Sequence, residues 1–235
     1  MENKLFDRIR NVECTEEDMR EIISMAHKGK LDSTLPFDRY YRLRDILKCI
    51  ELYEEGKLSH KLLTRWAVAY DALISGGVGY YDPKPDEDGE ENAPSTVPTQ
   101  KIITACIREW LDSLSICDDA KEADSEGECD DEDEDCYRLY TASEHKRVFE
   151  ILDRIYNSLD EWDVVYTHEM YDFDENPEEL EEIVLLFINR EEKEFFVISN
   201  DSYDFHENKP EAAAVTYGEF EKKINELTEN GYKAL

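Results

Sequence analysis

A chain of 235 residues, 40% hydrophobic and 37% charged, has room for one large or two small domains and enough apolar material to fold. Its formal net charge is −32, from 59 acids against 27 bases. Such a surplus disfavours nucleic acid and anionic membranes, whose binding draws on cations, and favours a basic protein or a divalent cation.

The surplus is localised. Residues 1–75 hold 13 Lys/Arg against 14 Asp/Glu, leaving 14 bases and 45 acids for the rest. The N-terminal third is therefore nearly neutral, and everything after it is strongly anionic.

The start, Met1-Glu2-Asn3-Lys4-Leu5-Phe6, lacks the apolar stretch of a secretory signal, and the longest clean apolar run has six residues. Thr15 with Asp18 predicts a helix N-cap, followed by an apolar stripe of Met19, Ile22, Ile23 and Ala26 that Gly29 ends. A second helix is expected over 37–55, with Tyr40, Leu43, Ile46, Leu47 and Ile50 at the 3.6 period and Gly56 after it. Ser59 should cap a third, bearing Leu62, Leu63, Trp66, Tyr70, Leu73 and Ile74. Residues 76–98, with Gly76, Gly77 and Gly79, four prolines and the acids of 86–91, predict a flexible loop. A helix over 99–117 then presents Ile103, Cys106, Ile107, Trp110, Leu111 and Leu114, completing a unit of about four helices over 1–117.

Residues 118–135 contain 12 acids and one Lys, including the run Asp130, Asp131, Glu132, Asp133, Glu134 and Asp135. Like charges repel, so 118–136 is expected to be an extended linker or arm. Ser143 should cap a helix carrying Val148, Ile151, Leu152, Ile155 and Leu159. Strands are expected at 162–168, 183–188 and 195–198, the last two joined as a hairpin through 189–194. Thr216 with Glu219 matches a capping box, and Phe220, Ile224 and Leu227 supply the stripe of a final helix that ends near Gly231. The expected fold class is α+β: an N-terminal helical domain, then a small α-β-β-β-α domain over 137–235 with an antiparallel sheet.

Few residues carry chemistry. His168-Glu169-Met170-Tyr171-Asp172 is the nearest approach to a zinc-protease signature, but its context is strand-like. Residues i and i+4 on a strand lie about 13 Å apart, too far to share one tetrahedral ion. The acids of 172–175 and of the arm fit no calcium-loop spacing. Cys14, Cys49, Cys106, Cys117, Cys129 and Cys136 include no C-x-x-C pair, and reduced thiols in a cytoplasmic chain are expected. No Walker loop, G-x-S-x-G or G-x-G-x-x-G is present, and the histidines are scattered. No metal, cofactor or catalytic set is expected.

Arg39, Arg42, Arg44 and Lys48, with Tyr40 and Tyr41 among them, form a basic patch. It is read as the solvated face of a helix, as a stacking surface for nucleic acid, or as a dock for the protein's own acidic arm.

The leading expectation is a non-catalytic acidic protein that inhibits a basic partner, a nuclease-type toxin being a natural target. This is the general character of immunity proteins, although no stretch matches a family motif. Its contact acids would be Asp172, Asp174, Glu175, Glu178, Glu179, Asp201 and Asp204. One alternative is a phage-type nucleic-acid mimic, which needs carboxylates held rigidly at phosphate-like spacing. Another is an enzyme with a site near His168.

Overall fold

The computed structural model describes residues 2–29, 42–77, 97–117, 140–170, 181–201 and 213–235. It is mixed α and β, as the periodicities predict, and divides into two compact units. One is Met1–Lys84 with Trp110–Asp153, and the other is Pro85–Glu109 with Arg154–Leu235. The expected loop at 76–98 falls largely, and the linker at 118–136 entirely, outside the described residues.

The first unit opens with a helix absent from the sequence expectation, α1 (Glu2–Arg10). Leu5, Phe6 and Ile9 recur at helical spacing and are buried. Helix α2 (Glu16–His27) begins in the expected capping box, with the Thr15 hydroxyl accepting the Asp18 amide and the Asp18 carboxylate accepting the Thr15 amide. Gly29 follows it at φ +59, a left-handed position that glycine tolerates without the Cβ penalty.

Helix α3 (Leu43–Glu54) starts later than expected, because Arg42 is extended at φ −150, ψ 126. The basic patch therefore does not lie along one continuous helix. Helix α4 (His60–Gly77) starts after Ser59, whose hydroxyl accepts the Leu62 amide at 3.4 Å. It is the hub of the unit, since α1, α2 and α3 all pack on it. Trp66 and Tyr70 stack at its centre, 4.5 Å between ring centroids, and both are fully buried. Each such aromatic side chain contributes about 1.5–3 kcal/mol by leaving water.

Helices α5 (Val97–Ser115) and α6 (Ala142–Asn157) follow. The cap of α6 is Thr141 rather than the expected Ser143. Glu144 Oε2 accepts the Thr141 amide at 2.8 Å, and the Glu144 amide donates to the Thr141 hydroxyl. Ser143 instead donates to Glu54 at 2.9 Å. Starting at Ala142 also shifts the buried stripe of α6 to Ala142, His145, Phe149, Leu152 and Ile155.

The second unit contains the sheet. A short 3-10 turn, Leu159–Glu161, leads into β1 (Trp162–Met170). Then come β2 (Glu181–Asn189), β3 (Glu194–Asp201), β4 (Ala213–Ala214), helix α7 (Tyr217–Glu229) and β5 (Lys233–Ala234). The sheet order is β4-β1-β2-β3-β5. Its three long strands pair antiparallel as expected, with Leu186 opposite both Val165 and Val197. The two-residue edge strands pair parallel, so the sheet is mixed rather than purely antiparallel.

Strand β2 is buried on alternate positions of both faces, Leu186 and Ile188 on one and Leu185 and Phe187 on the other. On the first face lies a core of Val165, Leu186, Ile188, Phe195 and Phe220, bringing α7 onto the sheet. The hairpin turn is organised by Asn189, whose side-chain oxygen accepts the amides of Glu191 and Glu192 at 3.0 Å. Lys193 closes the turn at φ 53. The Thr216–Glu219 capping box of α7 is present, and Gly231 stands just past that helix at φ +78.

Candidate functional site

The described residues of the first unit contain a cleft of about 370 Å³, lined by Asp7, Arg10, Asn11, Arg42, Arg44, Asp45 and Lys48. Two segments build it. The C-terminal turn of α1 brings Asp7, Arg10 and Asn11, and the start of α3 brings Arg42, Arg44, Asp45 and Lys48. Val12, a β-branched residue in the left-handed region at φ 58, ends α1 beside the cleft. Lys48 Nζ donates to the Asn11 carbonyl at 2.9 Å and ties the two segments together.

The floor is an interlocked polar network. Arg10 Nε donates to Asp45 Oδ2 at 3.3 Å, with both side chains 9% exposed. The Tyr70 hydroxyl donates to the same oxygen at 3.0 Å and accepts the Arg42 amide at 2.8 Å. Trp66 Nε1 donates to the Ile9 carbonyl at 2.7 Å, fixing the end of α1 on α4. Burial pushes the Asp45 carboxyl above the usual carboxylate range, and the hydrogen bonds from Tyr70 and Arg10 only partly oppose this. Burial likewise raises the Tyr70 hydroxyl well above its ordinary value, reinforced by the Asp45 charge.

At the rim, Arg44 is 70% exposed, with Nε 3.9 Å from Asp45 Oδ1. Four cations thus face two carboxylates around one concavity. Of the basic patch expected from sequence, Arg42, Arg44 and Lys48 are gathered here and Arg39 lies outside the described residues. Asp7, Arg10 and Asn11 had no local signal, because their role depends on α1 folding back against α3.

Asp172, Asp174, Glu175, Glu178, Glu179 and Asp204, and the arm Asp130–Asp135, lie outside the described residues. Asp201 ends β3, with its Cα opposite Glu182 of β2. His168 lies within β1 with its Cα opposite that of Ile183, while Asp172, the other end of the zinc-protease spacing, lies outside the described residues. Among the described residues no group of three or more His, Cys, Asp or Glu could hold a metal, and no helix is long and apolar enough to cross a membrane.

One cysteine–histidine approach needs a chemical reading. Cys117 Sγ lies 3.6 Å from His60 Nε2, but the same nitrogen is 2.7 Å from the Cys117 carbonyl oxygen. A ring nitrogen facing a carbonyl so closely is protonated and donating, so it cannot accept the thiol proton. Cys14, Cys49, Cys106 and Cys117 form no disulfide. Burial raises the Cys14 thiol to about 11 and pushes Cys49 and Cys106 upward as well, the reverse of nucleophile activation.

No protein-family model matches the chain, and searches of curated proteins and of solved structures find no match either.

Proposed function

We propose that the protein is a non-catalytic acidic binding protein that captures and neutralises a basic protein partner, with a nuclease-type toxin as the natural target class. The observation that carries this reading is where the charge lies: 45 of the 59 acids but only 14 of the 27 bases follow residue 75. Among the described residues, eleven Lys and Arg side chains share eight carboxylates in ion pairs. Glu16 alone faces Arg20, Lys61 and Arg65.

Ion pairing leaves the net charge of −32 unchanged, so the folded chain remains strongly anionic. Self-repulsion on this scale weakens the compact state, and a cationic partner relieves it. Complementary potentials also raise the encounter rate and reject acidic competitors, while a few buried anchors supply affinity.

The test is a tagged pull-down from the native host, eluted in steps of rising salt and read by mass spectrometry. The expected result is one basic protein that leaves only at high salt and whose activity is blocked in the complex. Retention of acidic or neutral proteins alone, or none, overturns the reading. Competition by a short DNA duplex then separates capture outside the partner's nucleic-acid groove from mimicry within it.

A further inference from the structure

We propose that the cationic cleft between the end of α1 and the start of α3 binds a compact phosphate-bearing small molecule. The inference is independent of the basic-partner reading, since it concerns the opposite charge on the near-neutral part of the chain.

Charge supplies the first argument. Arg10, Arg42, Arg44 and Lys48 meet Asp7 and Asp45 around one concavity, a local surplus of two positive charges in a chain of −32. Asp45 is committed to Arg10 and Tyr70 at the floor. A local surplus of this size matches a phosphate dianion. Acids more than about 8 Å from the cleft are largely screened from it at physiological salt.

Size and order supply the second. A volume of about 370 Å³ lies at the lower end of small-molecule pockets and suits a phosphate ester or diphosphate. The cations are also placed before any ligand arrives. The Tyr70 hydroxyl holds the Arg42 amide at 2.8 Å, fixing the backbone from which Arg42 and Arg44 project. Lys48 is held near the Asn11 carbonyl. Guanidinium forks bind phosphate oxygens in pairs, and a fixed backbone beneath them lowers the entropic cost of doing so. The cleft further lies at the N-terminal end of α3, where Arg42 provides no side-chain cap, so the helix field adds to the same attraction.

The experiment is calorimetric titration of the full chain with inorganic pyrophosphate, beside Arg44→Gln, Lys48→Gln and the exposed control Lys222→Gln. Arg44 and Lys222 are 70% and 76% exposed, so neither variant disturbs the core, and circular dichroism verifies the fold of all three. The expected result is saturable one-to-one binding, weakened about tenfold or more in each cleft variant and unchanged in the control. No heat of binding at millimolar pyrophosphate, or equal affinity in the cleft variants and the control, overturns the proposal. So does a synthetic peptide of residues 118–135 that displaces pyrophosphate at lower concentration, since the cleft would then be a carboxylate dock.

Discussion

Replacing Asp45 with alanine probes the polar floor of the cleft. Asp45 is 7% and Arg10 8% exposed, and the carboxylate also receives the Tyr70 hydroxyl at 3.0 Å. Alanine removes the charge that the buried guanidinium of Arg10 faces and the acceptor of a hydroxyl on a buried ring. Losing one partner of a buried pair costs about 3–5 kcal/mol, a large part of the 5–15 kcal/mol that typically holds a domain together. At roughly 2–4 °C per kcal/mol for a chain of this size, the midpoint of thermal unfolding should fall by about 6–20 °C.

The pair itself is not a net source of stability on this account, because burial raises the Asp45 carboxyl even against Arg10 and Tyr70. The double variant Arg10→Met, Asp45→Leu should therefore recover most of what Asp45→Ala loses. Differential scanning calorimetry on the three proteins measures both quantities. An Asp45→Ala midpoint within about 2 °C of the parent, or a double variant no more stable than the single one, would refute the reasoning.

Other predictions follow from single contacts. Asp18 is held at about 2 by Arg8 first and by the Thr15 amide, so its contribution is present above about pH 4 and lost as pH falls through about 2. The stability difference between the parent and Asp18→Asn should close over that window in urea titrations. His145 is fully buried between the Thr141 carbonyl and the Ser113 hydroxyl, and burial lowers its pKa. Its neutral form is favoured by folding, so stability should decline as pH drops below about 6.5. His145→Gln should flatten that slope. Lys193 is exposed at φ 53, and Lys193→Gly should stabilise by about 0.5–1 kcal/mol, the relief of left-handed strain exceeding the added chain entropy. Thr216→Ala removes both hydroxyl bonds to Glu219 and should cost about 1 kcal/mol, seen as faster amide exchange in the first turn of α7.

Elements with a local signature were legible in the sequence. Both capping boxes, Thr15–Asp18 and Thr216–Glu219, combine a hydroxyl and an acid three residues apart, and chemistry at that spacing is self-contained. The 183–188 strand announced itself because six consecutive apolar residues are too few for a helix and fit a doubly buried strand. Helix α1 was missed because Leu5, Phe6 and Ile9 make a stripe only one turn long, significant only when α4 is there to cover it. The edge strands are two residues each, too short to show a period. The choice of Thr141 over Ser143 turned on Glu144, which stands three residues after one and directly after the other. The basic residues of the cleft were visible, but not the cleft. Its shape comes from α1 meeting α3, a tertiary event that Arg42, Arg44 and Lys48 do not encode by spacing.

The central claim is electrostatic capture of a basic partner. Its most direct test is the association rate of the purified complex between about 0.01 M and about 1 M salt, over which the screening length falls from about 30 Å to about 3 Å. Capture by the anionic surface predicts an association rate that drops about tenfold or more across this range, with a much smaller change in dissociation. An association rate that stays flat while the complex still forms would contradict the account.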